Sequence, residues 1–521
     1  MRYVYGISAA VLLGGAAATL TVNPLGAQTA QNDPGALAQP PGGAPMSFAT
    51  LAERLQPAVV NISTRQSVQV PQRRLPPGFE EFFQRFGQQV PQGDGGTVRQ
   101  RGGSLGSGFI ISADGYIVTN NHVVAPARPD AVVEQITVTL ADRTEYEAEV
   151  VGRDQTTDIA VLRIRPRAPL PFVRFGDSTR TRVGDWVVAI GNPFGLGGTV
   201  TAGIVSALHR NIGQGVYDRY IQTDASINSG NSGGPMFDLN GNVIGINTAL
   251  ISPTGGNVGI GFAIPAEQIR PVVDALRRGE RVERGYIGVS MQDVDEGVAS
   301  ALGIERNRGT LIRSVTPGGP AARAGIQPGD VIVGVSGQPV NPDQTLAYLL
   351  SRQRVGSRVP VEFIRGGQRR TVQIEVAQRP TDEELARQNG IEQPSGQNAE
   401  DDASKPEAER ESASQVSARS SLGLTVRTIT PEILRQLQIS DPNVRGVVIT
   451  ATDPNSDAAQ KGLRAGDIII SINRSPTVTP EAVVAAVEAA RRAGRSTVLL
   501  QIRRGNTPPA YIGVDLVAPA R

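Results

Sequence analysis

The sequence predicts a mainly β protein: one large domain of two antiparallel barrels, followed by two copies of a smaller module of strands and helices. Three observations carry this. Between Leu105 and Ile264 short apolar runs alternate with Gly, Asn and Asp turns and leave no room for crossover helices. About twelve such runs fit two six-stranded barrels. Further on, Pro320-Ala-Ala-Arg-Ala-Gly-Ile-Gln-Pro-Gly-Asp-Val-Ile-Val is echoed by Asp457-Ala-Ala-Gln-Lys-Gly-Leu-Arg-Ala-Gly-Asp-Ile-Ile-Ile, with Gly325, Gly329 and Asp330 aligned on Gly462, Gly466 and Asp467. Repetition of that length signals duplicated modules. Finally, 60 Gly and 37 Pro among 521 residues, with few aromatics, suit β-rich modules joined by many turns.

The chain opens with Arg2 and an apolar run from Ile7 to Val22, followed by the small residues Gly26, Ala27 and Ala30. Residues 1–27 read as a secretory signal peptide. The run is short and broken by Gly14, Gly15 and Pro24, which favours cleavage over a retained membrane anchor. The mature protein is expected outside the cytoplasm, most simply in a bacterial periplasm. Residues 28–45, rich in Pro, Gly, Ala and Gln, read as a disordered tether. The absence of cysteine excludes disulfides, thiolate metal sites and a cysteine nucleophile. A net charge of +2 gives no footing for nucleic acid.

The first domain spans 46–280. Phe48 to Leu55 has helical spacing, and Pro57 to Ser63 reads as the first strand. Residues 66–103 form a long polar insertion in which Phe79, Phe82, Phe83 and Phe86 recur at helical spacing. That aromatic face suits either docking on its own domain or contact with a neighbouring subunit. Strands follow at Gly108–Ser112, Tyr116–Thr119, Ile136–Leu140, Ile159–Ile164, Trp186–Ile190, Val243–Asn247 and Gly259–Ala263, and a helix over Pro265–Arg278 closes the domain. The repeated modules occupy 281–380 and 421–521. Residues 381–420 carry ten acidic and four basic side chains and no aromatics, and read as a flexible linker.

Ser232, in Gly230-Asn231-Ser232-Gly233-Gly234-Pro235, is the candidate nucleophile. A serine hydroxyl needs a base to take its proton, and the surrounding glycines allow backbone N–H groups to turn toward an oxyanion. The sequence holds two histidines. His122 follows a strand in Thr119-Asn-Asn-His-Val-Val124 and is the better placed base; His209 lies in a polar loop. Asp158, at the entry to the apolar strand Ile159–Ile164, is the preferred orienting acid over Asp154, four residues earlier. The order His122, Asp158, Ser232 is that of chymotrypsin-like enzymes. The amides of Gly230, Asn231 and Ser232 are the expected oxyanion donors.

These motifs, with Thr157-Asp-Ile-Ala-Val161, Gly191-Asn-Pro-Phe-Gly195 and Gly259-Ile-Gly-Phe-Ala-Ile264, resemble those of HtrA-type serine proteases of the Do-like group, over nearly the whole mature chain. The resemblance implies a chymotrypsin-like double β-barrel with two PDZ domains and a regulatory loop at 66–103. It also implies endopeptidase activity on unfolded or damaged envelope proteins in stress response and quality control, and a homotrimer that can enlarge into cages. By the same resemblance Arg210 relays activation between a neighbouring domain and the active site. Ser226, six residues before the nucleophile, stands where trypsin-like enzymes place a pocket acid. With Ile227, Ile246, Leu250 and Ile251 nearby, cleavage after Val, Ala or Ile is expected. Asn247, Thr248 and Ala249 are candidates to pair with the substrate backbone. In the first PDZ-like copy Tyr286, Ile287, Gly288 and Val289 are the expected site for C-terminal peptides; Ser421–Leu424 occupies that place in the second. No phosphate-binding Gly-Lys-Ser/Thr loop is present, so neither ATP nor another cofactor is expected. The alternative reading is a chaperone or PDZ scaffold with a latent protease site.

Overall fold

The structure is a computed structural model that describes residues 47–71, 97–126, 128, 130–193, 198–228, 230–250, 257–381, 384–385 and 421–517. The expected signal peptide and tether, the four phenylalanines of the insertion and most of the acidic linker lie outside these residues.

A helix over Ala49–Leu55 is followed by the first sheet. Its strands are β1 (Val59–Pro71), β2 (Thr97–Gly102), β3 (Leu105–Ile110), β4 (Tyr116–Asn120), β5 (Ala131–Thr139), β6 (Glu145–Glu147), β7 (Glu149–Asp154) and β8 (Ile159–Arg163). They run in the order β6-β5-β1-β3-β4-β8-β7, with β2 added to β1. The expected first barrel is therefore an eight-stranded sheet whose path does not close among the described residues. One reason lies in β1. Past a bulge between Arg65 and Gln66 its far half also pairs with β2, from Gln66–Gly102 to Pro71–Thr97, and becomes the stem of the insertion.

The second half closes as expected. β9 (Trp186–Gly191), β10 (Thr199–Arg210), β11 (Tyr220–Thr223), β12 (Pro235–Phe237), β13 (Val243–Leu250) and β14 (Gly261–Pro265) form a barrel in the order β10-β11-β14-β13-β12-β9. Each half has its own apolar centre, built from inward-facing members of the alternating runs: Val60, Ile62, Ile110, Ile117 and Leu162 in the first, Val187, Val205, Ile221 and Met236 in the second. The helix Ala266–Arg277 buries Ile269, Val272, Val273 and Leu276 and ends the domain.

The two repeats fold alike. The first has β15 (Gly285–Tyr286), β16 (Val289–Asp293), β17 (Thr310–Val315), β18 (Val331–Val335), β19 (Gln338–Pro339), β20 (Arg358–Arg365), β21 (Gln368–Glu375) and β22 (Ala377–Gln378), with a helix over Leu346–Ser351. The second has β23 (Leu424–Thr428), β24 (Val447–Thr452), β25 (Ile468–Ile472), β26 (Ser475–Pro476), β27 (Thr497–Arg503) and β28 (Ala510–Asp515), with a helix over Pro480–Arg492. Their sheets share one order, β16-β17-β18-β20-β21 and β23-β24-β25-β27-β28.

The repeated Gly-Asp pair has a structural cause. Asp330 and Asp467 are 0% and 1% exposed. Each accepts from the amide three residues earlier, Gln327 at 2.8 Å and Arg464 at 3.1 Å, and each receives an arginine, Arg365 or Arg504, through two nitrogens. The motif is a buried carboxylate locking a glycine turn to a distant strand. The modules also share a core. Val298 and Ala301 of the helix Glu296–Leu302, with Leu311, Val331 and Val333, pack against Leu499 and Tyr511 of the second repeat.

Candidate active site

β4 delivers the chain into a four-residue helix, Asn121–Val124, and His122 projects from its first turn. The His122 Nδ1 lies 2.7 Å from Asp158 Oδ2, and the His122 backbone N–H donates to Asp158 Oδ1 at 2.9 Å. Asp158 stands at the entry of β8, which pairs with β4, so neighbouring strand ends hold the two residues together. Asn121 N–H and Asn120 Nδ2 both donate to the Asp158 carbonyl at 3.0 Å. Asp158 itself has φ 55°, a left-handed conformation that non-glycine residues adopt only when their surroundings enforce it.

The enforcement comes from Asp154. Its Oδ2 accepts from Thr157 N–H at 3.0 Å and from the Thr157 hydroxyl. The two candidate acids thus separate by role: Asp158 meets the imidazole, whereas Asp154 holds the turn that presents Asp158. A third group, not foreseen in this role, is Thr248. Its hydroxyl donates to Asp158 Oδ2 at 3.0 Å. With the bonds from His122, this gives the carboxylate three donors, which fix its plane.

Ser232 sits in the turn before β12. Gly233 and Gly234 bind this turn to β13 and to the turn itself, through Gly233 N–H to Asn247 O at 2.8 Å and Gly234 N–H to Asn231 O at 2.9 Å. Gly233 has φ 84°, and a Cβ there would lie 2.2 Å from the Ser107 carbonyl oxygen, so only glycine fits. Gly106 lets the halves approach, since a Cβ there would lie 2.7 Å from the Val123 side chain and 3.2 Å from the Ser232 carbonyl oxygen. Among the described residues the Ser232 hydroxyl makes no hydrogen bond.

Of the three expected oxyanion donors, Asn231 is committed elsewhere. Its N–H closes a turn on the Asn228 carbonyl at 3.0 Å, and its Nδ2 donates to the Ser226 carbonyl at 3.2 Å. The amides of Gly230 and Ser232 have no acceptor among the described residues.

The expected substrate pocket needs correction. Ile227 and Ile246 are 1% and 0% exposed, so their side chains belong to the interior and offer no surface to a substrate. Asn247 cannot extend a substrate strand, because its N–H and carbonyl are both paired with the Gly233–Gly234 turn. Thr248 faces Asp158. Ser226 remains exposed, and Asp224, two residues earlier, accepts from Ile204 N–H at 2.7 Å. The Leu250 side chain and Ile251 lie outside the described residues.

Arg210, the relay residue implied by the resemblance, bonds Gln222 of its own barrel at 3.1 Å. The contact with the first repeat is made by its neighbours. His209 Nδ1 lies 3.8 Å from Asp343, and the buried Arg219 stacks 3.7 Å over the Tyr348 ring while paired with Glu267 at 3.1 Å. Tyr348 belongs to the helix Leu346–Ser351.

In the first repeat Tyr286 ends β15, Ile287 is buried, and Gly288 turns at φ 77° into Val289 of β16. The carbonyls of Ile287 and Gly288 accept from Ala321 and Thr316 at 2.8 Å each, while their amides have no acceptor among the described residues. β16 is a sheet edge. Unpaired amides at the start of an edge strand are the geometry that captures a peptide carboxylate.

The two-part β scaffold, the Ser-His-Asp constellation and the paired modules define a trypsin-like serine peptidase carrying two PDZ domains. Residues 106–246 match the trypsin-like peptidase domain family, and 285–376 and 414–503 each match a PDZ domain family. A "Probable periplasmic serine endoprotease DegP-like" of Brucella suis biovar 1 is 40% identical, covering 96% of this chain and 96% of the relative. Similarly named proteins of Rhizobium meliloti and Pseudomonas fulva are 39% and 42% identical, covering 94% and 82% of this chain and 96% and 85% of theirs. Among solved structures, "HtrA-type protease AlgW with decapeptide" is 40% identical at a TM-score of 0.52, covering 64% of this chain and 100% of that one. The same protease with a tripeptide is 38% identical at 0.51, covering 65% and 99%. The chain belongs to the DegP-like group of HtrA-type serine endoproteases.

Proposed function

We propose that Ser232, His122 and Asp158 are the catalytic triad of an endopeptidase that degrades unfolded or damaged envelope proteins. The observation that carries this is the 2.7 Å contact between His122 Nδ1 and Asp158 Oδ2, on strand ends joined through Gly106 to the Ser232 turn. In the reaction the Ser232 hydroxyl attacks the peptide carbonyl and His122 Nε2 takes its proton. The Gly230 and Ser232 amides face the oxyanion, and His122 then gives the proton to the leaving amine. Asp158 holds the imidazole in the tautomer that leaves Nε2 free to accept.

Cleavage follows small or medium aliphatic residues. Ser226 supplies no carboxylate where trypsin-like enzymes place the pocket acid, so a lysine or arginine side chain would lack that partner. C-terminal peptides bind at Tyr286–Val289. The protein works in the periplasm after removal of a signal peptide near Ala27, without ATP, and as a homotrimer that can enlarge into cages, in keeping with its family resemblance. The domain limits are 46–280, 281–380 and 421–521.

One observation favours a latent resting state: the Ser232 hydroxyl makes no hydrogen bond among the described residues. Such bonds often tighten only with substrate bound. The test is digestion of a reduced, unfolded protein by the mature enzyme and by Ser232→Ala, with mass spectrometry of the fragments. Fragments ending in Val, Ala or Ile, absent with the variant, are expected. Undiminished digestion by Ser232→Ala would overturn the assignment. If the wild type cleaves only after a hydrophobic C-terminal peptide is added, and Ser232→Ala not even then, the latent reading holds.

A further inference from the structure

We propose that Ser107 is a positioning residue that braces the oxyanion turn from behind, an inference that rests on Ser232 being the nucleophile. Ser107 lies on β3 and is 0% exposed. Its hydroxyl donates to the Gly230 carbonyl at 2.5 Å and accepts from Asn192 N–H at 2.8 Å. Its own N–H donates to the Ser232 carbonyl at 2.8 Å, and its carbonyl accepts from the Thr119 hydroxyl at 2.7 Å. One residue of the first half thus grips both ends of Gly230–Asn231–Ser232. It also ties that turn to Asn192, which follows β9 of the second half.

The geometry of the peptide unit says what this grip does. A carbonyl and the next N–H share a plane and point opposite ways. With the Gly230 carbonyl held toward β3, the Asn231 N–H points away, where it meets the Asn228 carbonyl. The Asn231 carbonyl accepts from Gly234 N–H, and this fixes the plane that carries the Ser232 amide. Gly230 has φ 104°, and glycine resists rotation of its neighbouring peptides less than any other residue. Among the described residues the bond from Ser107 is the only hydrogen bond to the Gly230 carbonyl. Without the hydroxyl, that carbonyl and the Asn192 N–H both lose their partner, and the peptide keeps only the bond from Asn231 N–H to the Asn228 carbonyl to resist rotation. Preorganised donors lose most of their effect on the transition state when their direction is no longer fixed.

None of the Ser107 hydrogen bonds reaches His122, Asp158 or the PDZ modules, so substrate binding is expected to stay as it is. The test compares the wild type, Ser107→Ala, Ser107→Cys and Ser232→Ala on a peptide substrate and on a reduced, unfolded protein. It reads kcat, KM, the pH profile of kcat/KM and the thermal midpoint. Removing an oxyanion donor costs about 100- to 1,000-fold in turnover, so losing its brace is expected to lower kcat by roughly 10- to 100-fold with KM within about threefold. The acid limb of the pH profile is expected to stay in place. Ser107→Cys, close in size and a weak donor, is expected to lie between the wild type and alanine. Wild-type kcat in Ser107→Ala overturns the proposal, and so does a loss matched by a falling folded fraction. If the alanine variant does not fold, Ser107→Cys decides: a kcat lowered at least about threefold at an unchanged midpoint supports the brace, and an unchanged kcat sinks it. Cleavage that survives in Ser232→Ala would instead remove the nucleophile assignment.

Discussion

Arg284 closes on Asp154 through two parallel hydrogen bonds, 3.0 and 2.5 Å, between side chains that are each only 10% exposed. Asp154 is also the residue that caps the Thr157 turn and so holds Asp158 at φ 55°. Arg284 directly precedes β15, so the entry to the first PDZ module bears on the catalytic acid through one buried ion pair. Arg284→Ala leaves a buried carboxylate without its cation, and breaking such a pair costs about 3–5 kcal/mol. The expected outcome is a lower thermal midpoint together with a lower kcat on an unfolded substrate. Arg284→Lys should recover only part of both, because an ammonium cannot match the two-point contact. An unchanged midpoint in the alanine variant would show that the pair is not coupled to folding.

Gly233 and Gly213 both have positive φ, 84° and 76°, but only Gly233 is enclosed. A Cβ at Gly233 would lie 2.2 Å from the Ser107 carbonyl and 2.3 Å from the Thr119 hydroxyl, whereas a Cβ at Gly213 meets nothing within 4 Å. The backbone strain is common to both and amounts to ~1–3 kcal/mol. Gly213→Ala is therefore expected to lower stability slightly and to keep cleavage. Gly233→Ala should displace the Ser232 turn and abolish it. Comparing urea unfolding and cleavage rates of the two variants separates strain from collision.

The residues legible in the sequence are those whose role follows from type and local context. His122 follows an apolar strand, Asp158 opens one and Ser232 sits in a glycine turn, and two histidines leave little choice of base. The closed barrel and the duplicated modules follow from alternation and repetition. The illegible features depend on which face of a strand looks inward, since adjacent strand residues point to opposite sides. Apolar residues near a nucleophile suggest a pocket, yet Ile227 and Ile246 turn into the interior. Ser107, just before the expected strand Gly108–Ser112, carries no local signal because its partners Asn192 and Gly230 lie 85 and 123 positions away. Thr248 likewise reads as a substrate contact until β13 is seen to carry it over Asp158, 90 positions away. The contacts that His209, Arg219 and Arg284 make across the junction carry no local sequence signal, because Asp343, Tyr348 and Asp154 lie more than a hundred positions away.

Asp330 serves both PDZ modules. Besides Arg365 it receives Arg474 of the second repeat, at 3.2 Å. Asp330→Ala strands Arg365 and removes the anchor of Arg474, and about 3–5 kcal/mol of lost stability is expected. Arg474→Ala leaves the Asp330–Arg365 pair intact, and since Arg474 is 28% exposed its loss should cost only about 1 kcal/mol. Hydrogen exchange distinguishes the two. Arg474→Ala should speed exchange at the shared surface, on 296–302 and 510–515, and leave β18 and β20 protected. Asp330→Ala should expose β18 and β20 as well.

The junction between the protease domain and the first PDZ module is expected to weaken in mild acid. Burial, reinforced by the positive charge of Arg219, holds the His209 pKa below its ordinary value. Asp343 at 3.8 Å and Glu267 pull the other way, but burial outweighs them. The unfolded chain, with His209 near the usual 6.5, therefore binds more protons in the acid range than the folded one. Stability from this site is complete above the ordinary value and is lost as pH falls through the lower, folded value. Between pH 7.5 and 5 the wild-type midpoint should fall further than that of His209→Gln, whose amide cannot take up the proton. The added exchange in the wild type should concentrate on residues 343–351, which carry Asp343 and Tyr348. Equal pH slopes for the two proteins would rule His209 out as the source.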